Sequence, residues 1–249
     1  MTAEIIVSAD SGVGEIRIDR PAKKNALTSG MYAAMAEALE AFDRDDAIRV
    51  TVIRGGNDFT AGNDLRDFAG ASASGDRKAL DAIVEFLTRL ADFSKPLIAG
   101  VRGNAVGVGT TMLLHADAVV AGTSARFRMP FTQLGLVPEA GSSLLLPLTA
   151  GRMRAAWMLL AGEFFSAGEA FAAGLITSVV ADDRVYDTAA EMAAKLASLP
   201  PVAVRETKRL MRDAIARDVR EQMDAEIAAF AERLASEEFR ASVSAVLAR

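Results

Sequence analysis

The chain has 249 residues, 51% of them hydrophobic, with a mean hydropathy of +0.21, enough apolar content to bury a large core in one substantial domain with a smaller appendage. The absence of cysteine excludes disulfides, thiol nucleophiles and cysteine-ligated metals. A net charge of −5 and a pI near 5.1 argue against a nucleic-acid partner, and no stretch reaches the roughly 18 continuous apolar residues of a membrane span. The N-terminus lacks the basic and apolar regions of a secretory leader, so a cytoplasmic, unprocessed protein without membrane association is expected.

In chain order, the β-branched runs EIIV (4–7), GEIRID (14–19), IRVTVI (48–53), PLIAGV (96–101) and DAVVAG (117–122) predict strands. They alternate with helical stretches. Thr28 or Ser29 can cap a helix running to about residue 43, in which Met31, Met35, Ala38, Leu39 and Phe42 recur at helical spacing. Residues 76–93 show the same amphipathic pattern, after a small-residue loop GASASGD (70–76). From about residue 184 the chain is almost all helix former, and Pro200-Pro201 splits this region into several helices. The alternation implies an α/β core with substantial parallel character.

Two segments read as strand, tight turn and helix: GGNDFTAGNDLRDF (55–68) and RGNAVGVGTTMLL (102–114). Neither is a dinucleotide or phosphate-loop fingerprint. Glycine-rich turns before helices can offer main-chain N–H groups to a ligand, although Gly62, Gly103, Gly107 and Gly109 would equally serve close strand–helix contact. The single histidine, His115, lies in an apolar helical pattern and reads as a packing residue.

FTAGNDL (59–65), KPLIAGVRGNAVGVGTTMLLHADAVVAG (95–122) and FTQLGLVPEAGSS (131–143) together resemble the crotonase, or enoyl-CoA hydratase/isomerase, superfamily. IRIDRPAKKNAL (16–27) and AGEFFSAGEAFAAGLITSVV (161–180) match it in order and spacing, so the likeness runs from about residue 4 to 215. It implies an α/β spiral of ββα units with a C-terminal helical region: an acyl-CoA-binding core over 1–195 and a trimerisation or lid region over 196–249. It also implies a homotrimer or dimer of trimers.

The implied substrate is an acyl-CoA thioester, with coenzyme A as part of the substrate and no cofactor or metal. Matched motif to motif, the N–H groups of Asn63 and Val108 would form an oxyanion hole. Ala61, Gly62, Asp64, Leu65 and Gly107 would line the CoA site. The turn Ala22 to Lys24 would lie near the adenosine, with Lys23 or Lys24 either meeting a phosphate or remaining solvated.

Hydratases of the family use two glutamates. The matching positions here are Thr111 and Phe131, which cannot exchange a proton at neutral pH. Glu139, in LGLVPEAGSS (134–143), stands where typical hydratases carry glycine and peroxisomal-type 3,2-enoyl-CoA isomerases carry their catalytic base. The resemblance therefore implies an isomerase, with Phe131, Leu134, Leu136 and Thr111 around the acyl chain and an apolar setting that raises the basicity of Glu139. Three alternatives stay open: a hydratase using Glu139 alone or with Asp67 or Asp76, an acyl-CoA dehalogenase or hydrolase needing a further base, and a noncatalytic acyl-CoA-binding protein.

Overall fold

The computed structural model describes residues 4–67 and 78–248. Its strands are β1 (Ile5–Asp10), β2 (Val13–Ile18), β3 (Val50–Arg54), β4 (Leu97–Val101), β5 (Asn104–Val106), β6 (Ala118–Gly122), β7 (Arg126–Arg128), β8 (Phe165–Ser166) and β9 (Ser178–Val180). β1 and β2 form an antiparallel hairpin closed by Ser11 and Gly12, both at positive φ (51° and 82°), as a tight two-residue hairpin turn requires. The main sheet then continues in parallel, in the order β1-β2-β3-β4-β6-β9. A second sheet, β5-β7-β8, contains strands too short to show in the sequence pattern.

The helices are α1 (Ser29–Arg44), α2 (Lys78–Asp92), α3 (Val108–Thr111), α4 (Ser142–Ala150), α5 (Arg152–Ala161), α6 (Ala167–Ala172), α7 (Val185–Ala197), α8 (Pro201–Asp213), α9 (Ala216–Leu234) and α10 (Glu237–Leu247). Thr28 caps α1, its side chain accepting from Met31 N–H at 3.4 Å, and all five apolar positions expected on that helix are buried. The loop expected at 70–76 lies outside the described residues.

The middle strands are buried on both faces, and their residues divide by the twofold period of a strand. Val50, Val52, Ile98, Ala118 and Val120 pack with α7, while Ile53, Leu97, Ala99, Val119 and Ala121 belong to the main core. The C-terminal helices join that same core through Val219, Met223, Phe230, Phe239 and Val243. No helix among the described residues is long and apolar enough to cross a membrane.

One local expectation needs correction. The run TTMLLHADAVV does not continue as an α-helix, because α3 is a single turn that tightens into a 3₁₀ turn at Met112–His115 before the chain enters β6. His115 thus sits at the end of a tight turn, where its side chain reaches a neighbouring loop instead of packing along a helix face.

Candidate active site

The first glycine turn pairs with the segment after β2. Ala61 N–H donates to Lys24 O at 2.9 Å, Leu27 N–H to Gly62 O at 2.8 Å, and Asp64 N–H to Leu27 O at 2.8 Å. The backbone thereby draws the Ala22–Lys24 turn against Ala61 and Gly62, and the side chains of Lys23 and Lys24 remain exposed. The second turn lies against the first: Val106 N–H donates to Thr60 O at 3.0 Å, and Gly107 N–H to Arg128 O at 2.8 Å. Gly62 has φ 86°, and a Cβ there would stand 2.7 Å from Val106 O, so only glycine lets the two loops approach this closely. Gly107, at φ 57° and ψ −121°, opens α3 in a conformation that side chains disfavour.

These pairings use several of the flanking N–H groups. Among the described residues, neither Asn63 N–H nor Val108 N–H is given to a protein acceptor. Both residues line a cavity of about 740 Å³, together with Ala61, Gly62, Leu65, Gly107, Phe131, Leu134 and Leu136. Arg128 and Gln133 add polar groups to its wall, and Phe230 of α9 with Ser242, Ala245 and Val246 of α10 also line it, so the C-terminal helices cover the cavity of their own chain.

Two expected site residues take other positions. Asp64 does not line the cavity; its carboxylate accepts from Arg20 Nη1 at 2.8 Å and from Arg66 N–H at 3.0 Å. That pairing with Arg20 and the two following N–H groups holds the Asp64 carboxyl below the usual carboxylate range against the opposing effect of burial. It fixes the turn that follows Asn63. Thr111 likewise lies outside the cavity wall; it is fully buried, its Oγ1 donates to Gly107 O at 3.4 Å, and it stands close enough to Glu139 to act on that carboxyl. Asp67 is also engaged, accepting from Ser29 N–H at 2.9 Å, and Asp76 lies outside the described residues.

Glu139 is 4% exposed, and its Oε1 has no hydrogen-bond partner among the described residues. Burial first, and then the charge of Glu226, push its carboxyl up to about 8, while the nearby Thr111 hydroxyl opposes the shift. Glu139 is not itself part of the cavity wall, whereas Leu136, three residues before it, and Val108, three residues before Thr111, are. Tyr32 of α1, 1% exposed, donates its hydroxyl to Asn63 Oδ1. Burial and then the charge of Glu139 raise the Tyr32 phenol well above its ordinary value. The charge of Glu139 is thus felt by Tyr32, which bonds Asn63 of the first loop, and Thr111, three residues after Val108 of the second loop, acts on Glu139 in turn.

The turn after Glu139 is unusual. Ala140 and Gly141 both have left-handed backbone, with φ 63° and 67°, a conformation that costs Ala140 about 1 kcal/mol or more. His115 Nε2 lies 2.8 Å from Ala140 O, and since a carbonyl only accepts, Nε2 carries the proton. Burial lowers the His115 pKa and keeps the ring neutral. Glu226 of α9, 5% exposed, accepts from Gly141 N–H at 2.7 Å, Ser143 N–H at 2.8 Å and Ser143 Oγ at 2.5 Å. Sequence reasoning missed Tyr32, Glu226 and the polar role of His115. The only signal for Glu226 was a glutamate at a position where α9 otherwise presents Val219, Met223 and Phe230 to the core.

Unpaired main-chain N–H groups on two facing loops, near a desolvated carboxylate and a partly apolar cavity, define a site suited to building negative charge on a carbonyl oxygen while a proton moves nearby. The enoyl-CoA hydratase/isomerase family model matches residues 8–248, and the chain belongs to this acyl-CoA-processing family of enzymes, with the crotonase fold. The 1,2-epoxyphenylacetyl-CoA isomerase of Escherichia coli (strain K12) is 37% identical over 98% of this chain and 95% of its own length. Enoyl-CoA delta isomerase 2 of Rattus norvegicus is 41% identical over 84% of this chain, which spans 54% of that longer relative. The structure of Pseudomonas aeruginosa OdaA superimposes with a TM-score of 0.94 at 42% identity, covering 100% of both chains.

Proposed function

We propose that the protein is a 3,2-enoyl-CoA isomerase in which Glu139 is the single base. The observation that carries this reading is the Glu139 carboxylate itself, buried, raised to about 8 and left with one unpartnered oxygen next to the two loops that bear Asn63 and Val108. Ionised Glu139 takes a proton from C2 of a 3-enoyl-CoA. The negative charge spreads to the thioester oxygen, which accepts from Asn63 N–H and Val108 N–H. The protonated Glu139 then returns the proton to C4, and a 2-enoyl-CoA results with no net change in atoms. The acyl chain reaches the carboxylate past Val108 and Leu136, with Phe131 and Leu134 along the cavity wall.

A second carboxylate lies close, but three donors occupy Glu226, which favours one proton-transfer group over the glutamate pair of a hydratase. His115, bonded to Ala140 O, is engaged and neutral, which weighs against hydrolytic chemistry that needs a free histidine. In this reading Lys23 or Lys24, both on the exposed turn beside Ala61, meets the charged end of coenzyme A. The same reading includes assembly as a homotrimer or dimer of trimers, supported by an exposed apolar face that contains Met153, Trp157, Leu160, Phe164 and Phe171.

The test compares isomerisation of a 3-enoyl-CoA with hydration of a 2-enoyl-CoA, using Glu139→Gln as the paired variant. Isomerisation should dominate and fall by about 10³-fold in the variant, with acyl-CoA binding retained. In the parent enzyme kcat/KM should rise with pH and level off above about 8, as Glu139 ionises. Fast hydration, or normal turnover by Glu139→Gln, would overturn the assignment.

A further inference from the structure

The turn behind Glu139 is held by groups distant in sequence. His115 Nε2 donates to Ala140 O on one side. On the other, the Glu226 carboxylate bridges Gly141 N–H to Ser143, using both oxygens. Gln222, one helical turn earlier on α9, donates to Ser143 Oγ at 2.8 Å and so braces the same contact. We propose that Glu226 is the positioning residue for Glu139: presented by α9, its carboxylate fixes the left-handed Ala140–Gly141 turn that aims the base toward the acyl chain. This rests on Glu139 being the base.

Two features set Glu226 apart from an ordinary structural contact. The first is its cost. A buried carboxylate placed near another buried carboxylate disfavours both charges, and a turn that needed only hydrogen-bond acceptors would be served by a neutral side chain. The charge also makes Glu139 a stronger base, since Glu226 acts on it directly. The second is its connection. Phe230, one turn further along α9, lines the cavity, so one helix both shapes the cavity wall and holds the turn of the base. The ionisable groups facing Glu139 and its turn are Tyr32 from α1, Glu226 from α9 and His115 from the 3₁₀ turn, and Lys208 and Asp92 act in turn on His115.

Glu226→Gln keeps the shape but opposes an amide NH₂ to one of the two main-chain donors and removes the charge. It should lower kcat for isomerisation by about 10- to 100-fold with KM changed by less than about threefold, and move the pH midpoint of kcat/KM to lower pH by about one unit. Ser143→Ala keeps the carboxylate and both main-chain bonds, and should lower kcat by about threefold without moving that midpoint. A Glu226→Gln protein that melts earlier but keeps kcat and the midpoint would overturn the proposal. So would unchanged kcat in Ser143→Ala if the first variant does not fold. Titration of Glu139 by carboxyl-carbon NMR in Glu226→Gln reads the contact without turnover: an unmoved midpoint rejects the positioning role even if Glu139 proves not to be the base. Normal activity in Glu139→Gln instead rejects the base assignment alone.

Discussion

On the side of Asn63 and Val108, the geometry comes from main-chain hydrogen bonds between neighbouring segments, Leu27 with Gly62 and Asp64, Val106 with Thr60, and Gly107 with Arg128. On the side of Glu139, it comes from side chains carried by remote elements: Thr111, His115 and Glu226, the last more than eighty residues further along. The first arrangement can be written into glycine motifs a few residues long, because glycine is what allows the backbones to meet. The second can be written only as single residues scattered through the chain, each with an alternative structural explanation when seen alone. The difference teaches that the N–H donors should fail through backbone changes and the base through side-chain changes.

The sharpest test of the first half is Gly62→Ala. The added Cβ would stand 2.7 Å from Val106 O at a residue whose φ is 86°, so the two loops must separate and Asn63 N–H must move with them. Loss of one well-placed donor typically costs about 10²-fold in kcat, and that loss is expected here with the protein still folded by circular dichroism. If activity survives, the donors tolerate displacement and the main-chain account of this side fails.

The same contrast explains what the sequence could disclose. All five β-branched runs were legible, each observed within a few residues of its expected place, and the middle ones of the parallel core show most clearly because strands buried on both faces leave continuous apolar stretches. The α1 cap at Thr28 and the two glycine turns were legible for the same local reason. The small β5-β7-β8 sheet was not, since its strands are two or three residues long and have no period to detect. Asp64 was misplaced because a carboxylate in a binding motif and one that closes a turn look alike until Arg20, 44 residues away, is seen to pair with it. An apolar run carries no sign of the 3₁₀ tightening of Met112–His115 that turns the His115 ring toward Ala140 O, so the residue's hydrogen-bonding role is invisible in the sequence.

Side-chain control of the base can be checked without any substrate. The carboxyl of Glu139 rises from an ordinary 4.5 to about 8 on folding, so the folded chain binds a proton that the unfolded chain releases. Its contribution favours the folded state fully at low pH and is lost as pH rises from about 4.5 through about 8. Glu139→Gln removes that loss. Relative to the parent, the variant should gain stability between pH 5 and pH 8, by a few kcal/mol at most. Urea unfolding of both proteins at the two pH values measures it. A stability difference that stays constant with pH would show that the carboxylate is not desolvated.

The smallest effect is expected where the two halves touch. Tyr32 gives its hydroxyl proton to Asn63 Oδ1, yet Asn63 is also fixed through the backbone by Leu27 on either side. Tyr32→Phe should therefore loosen the Asn63 side chain while leaving its N–H nearly in place, and lower kcat by about three- to fivefold. Because Tyr32 also feels the charge of Glu139, combining Tyr32→Phe with Glu226→Gln asks whether the halves act separately. Losses that multiply would mean that main-chain donors and side-chain base are positioned independently. A combined loss well below the product would show that the Tyr32 hydroxyl transmits the placement of Glu139 to Asn63, and the division between backbone-built and side-chain-built halves would have to be redrawn through that phenol.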